Sequence, residues 1–182
     1  MGVKVLSAPR GRACQMNVGA ASATGDILLF LHADTRLPAD FDTLVRAALL
    51  QSDAIAGAFA LRIDAPLWSL RLIEIGVNWR SRIFQMPYGD QAIFLNAMVF
   101  QKMGGFPELP MMEDFELMRR LRSLGQITII SSPVLTSARR WLQKGIIKTT
   151  LMNQIAIIAY LSGVSPEKIK RWYRRNGKSR GS

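Results

Sequence analysis

Residues 26–38 read DILLFLHADTRLP, an unbroken apolar run that ends in a histidine and a carboxylate. A continuous apolar segment of this length is typical of a strand buried on both faces of a parallel sheet. We therefore predict a strand over 26–32. Asp34 follows this strand, where its carboxylate could cap the next turn or could bind Mg²⁺ or Mn²⁺, which prefer oxygen ligands.

Strand and helix patterns alternate on both sides of this segment. Strand patterns lie at 3–8, 26–32, 54–63, 91–96 and 126–131, and helix patterns lie at 12–25, 66–84, 97–106, 112–125 and 165–175, with a further helix opening at Pro38. Such alternation predicts an α/β fold with a largely parallel sheet. We expect one domain over 1–182, with a disordered tail at 175–182.

The composition is that of a globular chain with an excess of positive charge. Of the 182 residues, 49% are hydrophobic, and the net charge is +11. This excess favours anionic partners such as nucleic acid, phosphorylated small molecules or an acidic membrane surface. We expect no nucleic-acid partner, because the basic residues are spread out and no recognised nucleic-acid motif is present. The one cysteine, Cys14, excludes an intrachain disulfide and fits a cytoplasmic location.

Several common site classes are absent from the sequence. There is no glycine-rich dinucleotide loop and no Walker loop. One cysteine and one histidine, His32, cannot form a Cys/His metal cluster. Composition does not exclude a serine triad, but His32 is the only histidine available as its base, and no nucleophile elbow is present.

The segment MMEDFEL (111–117) places two acids at the start of the clearest helix pattern. Glu113 and Asp114 could simply complement the helix dipole. Alternatively, Asp114 could act as a general base, because a carboxylate at this position stays ionised and can accept a proton.

Two shorter segments carry polar side chains next to predicted strands. The arginines and tryptophan of SARRW (137–141) could bind a diphosphate, or could form a solvated basic turn with a packed indole. YGDQAIF (88–94) places Asp90 and Gln91 in a loop before a strand, where loop polar residues are weaker candidates for substrate binding.

These segments, taken in order, resemble a known family. RGRACQMNVGAASATGDILLFLHADTRLP (10–38), YGDQAIFL (88–95), GGFPELPMMEDFELMRRLRSLG (104–125) and SARRW (137–141) resemble the family 2 glycosyltransferases of the GT-A fold. The closest subgroup is the bacterial transferase 2, rSAM/selenodomain-associated. The resemblance covers roughly residues 7–145. It implies a Rossmann-like, mostly parallel sheet with flanking helices.

The resemblance implies roles for three residues in metal binding and catalysis. Asp34 matches the last acid of the metal-binding Asp-x-Asp motif, and Asp114 matches the general base of inverting transferases. His32 takes the place of the first acid of Asp-x-Asp, so it is expected to be the weaker metal ligand. A divalent ion, Mg²⁺ or Mn²⁺, is the implied cofactor.

The remaining candidates share a predicted contact with the substrates. They are Arg139, Arg140 and Trp141 for the diphosphate and acceptor, Arg12 and Asn17 for the nucleotide, and Asp90, Gln91 and Glu113 for further substrate contacts. Members of the family begin with a strand–loop–helix–strand unit that forms much of the nucleotide-base pocket. This chain starts after most of that unit, so we expect an N-terminally truncated version of the fold.

Together these assignments imply a metal-dependent inverting glycosyltransferase. Such an enzyme would move a sugar from a nucleotide-diphosphate sugar to an acceptor hydroxyl. The alternative is a shortened glycosyltransferase-like protein that binds a partner without catalysis.

The C-terminal region combines an apolar stretch with many cations. Residues 145–175 could rest on an anionic membrane, at the inner face of the cell membrane, and meet a lipid-linked acceptor. They could equally form amphipathic helices that pack on the core beside a solvated tail. The apolar stretch 145–164 is too polar for a membrane span.

Overall fold

The computed structural model describes residues 2–177, which form eight α-helices and five strands. In chain order they are α1 (Arg12–Ala21), β1 (Ile27–Phe30), β2 (Thr35–Arg36), α2 (Phe41–Leu49), β3 (Ala54–Asp64), α3 (Trp68–Phe84), β4 (Ile93–Asn96), α4 (Ala97–Lys102), α5 (Glu113–Arg122), β5 (Gln126–Ser137), α6 (Arg139–Lys144), α7 (Ile146–Leu161) and α8 (Pro166–Gly177). The tail predicted at 175–182 lies outside the described residues from 178 onward, and 175–177 end α8.

The α/β class is confirmed, but the sheet is mixed rather than largely parallel. Its five strands lie in the order β1-β4-β3-β5-β2. Only β3 and β5 run parallel, whereas β1 and β3 are both antiparallel to β4, and β2 is antiparallel to β5. The alternation of strands and helices does not determine at which end of the sheet the chain re-enters after each helix. It therefore does not determine whether the next strand is parallel or antiparallel. Strand β4 runs opposite to β3 after α3 and the loop that follows it.

Strand β1 forms within the predicted segment but occupies an edge of the sheet. It pairs only with β4, and of its four residues only Leu28 is buried. The prediction of a strand buried in a parallel sheet is therefore wrong in position and direction. The apolar run has another cause, since its residues pack in turn against the helices on the two faces of the sheet. An unbroken apolar run indicates that both faces of a strand are covered by other elements. It does not indicate whether the neighbouring strand is parallel or antiparallel.

The other predicted elements are found with shifted ends, with one exception. The predicted strand at 3–8 is an irregular segment, in which Val3 and Val5 are almost fully exposed. Alternating valines favour a strand only where another strand is available to pair with them. Strand β5 is longer than predicted, because it continues through Pro133 after a break in its register with β3.

The helices cover both faces of the sheet. On one face, α1, α4 and α5 contribute to a cluster centred on Phe106, Leu117 and Met118. On the other face, α2, α3 and α6 pack around Phe59 and Phe94. Strand β3 is the central member, with six consecutive buried residues, Ala56–Leu61. Burial of apolar surface on both faces of β3 is the main stabilising term for this architecture.

A short crossing segment positions the functional residues. Only residues 31–34 join β1 to β2, although these strands are the two edges of the sheet. Five peptide steps reach at most about 18 Å, so the sheet must curl until its edges approach each other. The crossing segment, which contains His32 and Asp34, therefore passes over one end of the central strands.

The C-terminal region forms two long helices, of which α8 is strongly amphipathic, whereas α7 is apolar around most of its circumference. The turn at Ser165 leads into α8, whose first residue is Pro166, and the backbone carbonyl of Ser165 accepts hydrogen bonds from Lys168 and Ile169. Within residues 2–177, no helix has both the length and the apolar character needed to cross a bilayer.

Gly57 provides a test of the packing at the centre of the sheet. It is paired with both Phe94 and Thr128, and a Cβ added there would lie 2.7 Å from the Thr128 carbonyl oxygen and overlap the Phe94 ring. We expect Gly57→Ala to lower the free energy of unfolding by about 1–3 kcal/mol in urea denaturation. The matched control is Gly19→Ala in α1, where an added Cβ has open space. It should raise stability by about 0.5–1 kcal/mol. Equal effects of the two substitutions would contradict this packing.

Candidate functional site

A cavity of about 170 Å³ lies under the crossing segment. Its walls come from the start of α1, the crossing segment, the loop before β4, the start of α5, the end of β5, α6 and α7. Seven of the eleven residues proposed from the sequence line it: Arg12, His32, Asp34, Asp90, Asp114, Arg140 and Trp141. Residues far apart in sequence therefore meet in one place.

Asp34 is held at the rim by contacts between β2 and β5. The Ser137 N–H donates a hydrogen bond of 3.0 Å to the Asp34 carbonyl oxygen. Next to it, the buried Thr35 hydroxyl donates to the Thr136 hydroxyl at 3.0 Å. The Asp34 carboxylate is 49% exposed and lies 3.9 Å from the Arg139 guanidinium. Its backbone is thus fixed while its side chain remains accessible to a ligand.

Asp114 lies at the start of α5, with both carboxylate oxygens oriented by backbone groups. The Gly89 N–H donates to Oδ2 at 2.9 Å, and the Phe115 N–H donates to Oδ1 at 2.8 Å. Met112, just before this helix, has a φ of 72°, a left-handed conformation that is unfavourable for a bulky residue. Strained backbone of this kind persists where the surrounding structure requires it, commonly beside functional sites.

Arg12 links three other members of the site. Its Nη2 lies 2.8 Å from His32 Nε2 and 3.9 Å from Asp114 Oδ2, while its Nε lies 3.2 Å from Glu113 Oε1. An arginine can only donate, so His32 Nε2 must accept and carries no proton. Burial, and then the charge of Arg12, lower the pKa of His32, against the opposing effect of the nearby carboxylates. In this arrangement the Nε2 lone pair of His32 faces the Arg12 guanidinium.

Asp90 is a half-buried acid with an unsatisfied oxygen. Its Oδ1 is inaccessible to solvent and has no hydrogen-bond partner among the described residues. Burial, with the nearby charge of Asp114, raises the pKa of Asp90, while His32 and Arg80 act in the opposite direction. Buried acceptors without partners are costly to folding, and each calls for an explanation. The Oδ1 atom of Asp90 therefore retains its capacity to accept a hydrogen bond.

Four sequence candidates lie outside the cavity wall. Asn17 uses its amide in two hydrogen bonds to the backbone of Phe106, each 2.9 Å long, so it holds the loop after α4. Gln91 is fully buried and binds backbone and side-chain groups behind the site. Glu113 is buried against Arg12, and Arg139 stands exposed at the rim beside Asp34. The polar atoms of Asn17 and Gln91 are thus engaged within the protein and neither residue lines the cavity, so their contact with a substrate stays a prediction.

Two further residues of the site, Tyr88 in the cavity wall and Arg80 behind it, were not predicted from the sequence. The Arg80 guanidinium carbon lies 3.5 Å from the centre of the Tyr88 ring, a cation–π contact, and Tyr88 lines the cavity. Burial is the main cause that lowers the pKa of Arg80 and raises that of Tyr88. The sequence did contain a signal for Arg80. An arginine on a turn of a helix that otherwise packs on the core requires an interaction partner nearby.

Helix α7 also contributes to the wall through Asn153 and Ile157. The Asn153 amide oxygen accepts from the Tyr173 hydroxyl at 2.6 Å and from Arg140 Nη2 at 3.4 Å. The available signal was that Asn153, together with Gln154, interrupts an otherwise apolar segment of α7. These bonds tether α8 and Arg140 to the cavity.

The donor set limits how a divalent ion could be held. Within residues 2–177, no three His, Cys, Asp or Glu side chains converge on a common point. Asp34 offers a more exposed carboxylate than Asp114, at 49% against 19%, and Arg139 lies beside it. Mg²⁺ and Mn²⁺ commonly take one or two protein carboxylates and complete their coordination with phosphate oxygens and water. The residues present fit an ion that is shared with a phosphate ligand and do not fit a metal cage made by the protein alone.

No protein-family model matches the sequence, and no curated protein matches it. The functional assignment therefore depends on the chemistry of this cavity. Its walls combine three carboxylates with the cations of Arg12 and Arg140 and with the apolar surface of Trp141 and Phe115. Such a set can bind a phosphorylated polar ligand, with cations for its phosphates and acids for its hydroxyls.

The unsatisfied carboxyl of Asp90 gives a prediction for stability. Because its pKa is raised in the folded state, the folded protein holds this proton more tightly than the unfolded chain does. The resulting penalty is absent below the ordinary Asp pKa and grows as pH rises through the raised pKa. Asp90→Asn should therefore increase the free energy of unfolding at neutral pH by about 1–3 kcal/mol, with a smaller gain near pH 4.

The measurement is urea denaturation of both proteins between pH 4 and pH 8. Asp26→Asn serves as the control, since this acid is exposed and lies outside the cavity, and it should leave stability unchanged. A loss of stability in Asp90→Asn at every pH would mean that the neighbouring cations stabilise the charged carboxylate, contrary to the prediction.

Proposed function

We propose that the protein is a metal-dependent inverting glycosyltransferase. It would transfer a sugar from a nucleotide-diphosphate sugar to an acceptor hydroxyl, in the cytoplasm. One observation carries the proposal: Asp34, Asp114 and Arg140, taken from three separate motifs, line the same cavity. A metal site, a base and a cation are the parts that a single glycosyl transfer requires.

The cavity would take the central part of the donor. Small-molecule sites typically measure about 300–1,000 Å³, so the 170 Å³ found here suits a sugar and its adjoining phosphate rather than a whole nucleotide sugar. Among the described residues, the Arg140 guanidinium makes a long hydrogen bond of 3.4 Å to Asn153 and lies 5.3 Å from the centre of the Tyr173 ring, so it would retain N–H donors for a phosphate oxygen. Arg139 at the rim would add a second cation for the diphosphate.

Asp34 would contribute the protein carboxylate for a divalent ion. That ion would supply positive charge to offset the charge that develops on the leaving diphosphate. Arg139, whose guanidinium lies 3.9 Å from the Asp34 carboxylate, would also offset the negative charge that develops on the leaving diphosphate. His32 contributes differently from the expectation, because its Nε2 accepts from Arg12 and so orients that guanidinium.

Asp114 is the proposed general base. The two backbone N–H groups leave each of its oxygens with a second lone pair, since a carboxylate offers about four acceptor sites. One of these would accept the proton of the acceptor hydroxyl as its oxygen attacks the anomeric carbon and the carbon–phosphate-oxygen bond breaks. Asp90, with its unsatisfied oxygen, would accept a hydrogen bond from a sugar hydroxyl and so position the ring.

The base assignment gives the test. Asp114→Asn keeps the shape of the side chain and one of the two hydrogen bonds from Gly89 and Phe115, because its amide has a single acceptor oxygen, and it cannot accept the proton. With a panel of UDP- and GDP-sugars and Mn²⁺, we expect release of nucleoside diphosphate to fall by roughly 10²–10⁴-fold while donor binding is nearly unchanged. The control, Asp42→Asn on the exposed face of α2, should retain full activity.

Two outcomes would overturn parts of this proposal. Full activity in Asp114→Asn would show that another group takes the proton. Tight nucleotide binding without turnover of any donor by the unmodified protein would indicate a binding protein that performs no catalysis.

A further inference from the structure

Helix α3 leaves a stripe of large apolar side chains uncovered. Trp68, Leu72, Ile75, Trp79 and Ile83 follow one another at helical spacing and are each 58–75% exposed. Their spacing places all five on one side of the helix, within a narrow arc. We refer to these five residues as the α3 stripe.

The α3 stripe is not needed to hold the helix on the protein. The opposite side of α3 already packs on the core through Leu70, Ile73 and Val77. A helix of 17 residues is about 25 Å long, so the stripe is a continuous apolar surface along most of one side of α3. Large exposed apolar surfaces of this kind mark sites of interaction.

Cations flank the α3 stripe at both ends. Beside Trp68, an open groove is lined by Arg36, Arg62 and Arg71. Exposed Arg82 lies next to Ile83 at the other end. Arg36 and Arg71 are paired with acids, so Arg62 and Arg82 are the side chains that can reach the phosphates of a charged surface on which the stripe rests.

The acids nearest to the stripe are already neutralised. Asp64 pairs with Arg36 at 2.7 Å, and Glu74 is buried and pairs with Arg71 at 3.1 Å. The chain as a whole carries a net charge of +11. An apolar stripe bordered by cations, on a strongly basic protein, is complementary to an anionic lipid surface rather than to a neutral one.

We propose that the α3 stripe docks the protein on an anionic lipid bilayer. The helix lies in the plane of the interface, with the leucine and isoleucines in the acyl boundary. The two tryptophans lie at the headgroup level, where amphipathic rings are favoured. The same helix carries Arg80, which contacts Tyr88 of the cavity wall, so docking brings the cavity close to the membrane surface. The proposal rests on this surface alone and stands or falls independently of the proposed enzymatic activity.

Sedimentation with vesicles tests the docking surface. The full chain is mixed with vesicles of phosphatidylglycerol and phosphatidylcholine, or with vesicles of phosphatidylcholine alone. We expect pelleting with the anionic vesicles only, reduced by added salt. Leu72→Glu with Trp79→Glu should weaken the partitioning at least about tenfold, since it places two anions in the interface. Circular dichroism confirms that the variant folds, as expected for exposed positions.

Two control variants identify the surface responsible. Met98→Glu on α4 alters an equally exposed apolar residue on another helix and should pellet like the unmodified protein. Leu151→Glu tests α7, whose exposed Ile147, Leu151 and Ile158 form a separate stripe. It should have a smaller effect than the α3 variant.

The remaining outcomes would each overturn the proposal. Pelleting that survives the α3 variant but is lost in Leu151→Glu would place the docking surface on α7. Failure to pellet with anionic vesicles, together with a concentration-dependent dimer that the α3 variant abolishes, would identify a second copy of the chain as the occupant. Failure to pellet with a monomer at all concentrations would leave the stripe without a lipid partner.

Discussion

The buried side chain of Gln91 ties together the segments on which the candidate site depends. Its Nε2 donates to the Phe59 carbonyl oxygen of β3 at 2.9 Å. Its Oε1 accepts from the Ser81 hydroxyl of α3 at 2.8 Å and from the Tyr88 N–H at 3.2 Å. A fully buried amide with all of these bonds satisfied fixes one conformation, because the loss of any bond would leave a polar group unpaired in the core. The loop 88–92 is therefore held against β3 and α3.

That constraint positions Gly89, where three parts of the site meet. A Cβ at this position would lie 2.9 Å from His32 Nε2 and 3.0 Å from both Arg12 Nη2 and Asp114 Oδ2. Only glycine allows the loop to approach so closely and to donate its N–H to Asp114. Ala92 and Met112, on the two sides of this contact, both have positive φ values, of 51° and 72°. The folded state accepts this backbone strain and the buried Asp90 carboxyl, which is the pattern expected where a site is selected for binding rather than stability.

Much of the fold follows from local patterns. The apolar segments 54–63 and 112–125 fix a strand and a helix because periodicity and end signals agree there. The sheet topology does not follow, because strand direction depends on where the chain re-enters, and β1 has the composition of a central strand although it is an edge. The strand predicted at 3–8 does not form for a related reason, since strand propensity has no effect without another strand to pair with.

The charged residues that line the cavity could be proposed from the sequence, whereas the residues that hold the surrounding segments in place could not. Asp34, Asp114 and Arg140 stand at strand or helix ends, where polar side chains reach a common cavity. By contrast, Asn17 and Gln91 are polar residues whose partners are backbone groups distant in sequence, and no local pattern distinguishes such a residue from a ligand contact. Arg80 was missed because its cation–π partner lies across a loop.

Calorimetric titration with UDP and GDP, with and without Mn²⁺, tests the central claim that this cavity binds a nucleotide diphosphate through a shared metal ion. The account predicts saturable binding of one of the two nucleotides that requires Mn²⁺ and is lost in Asp34→Asn, while Asp26→Asn binds normally. Absence of binding in every combination, or binding that is indifferent to both Mn²⁺ and Asp34, would contradict it.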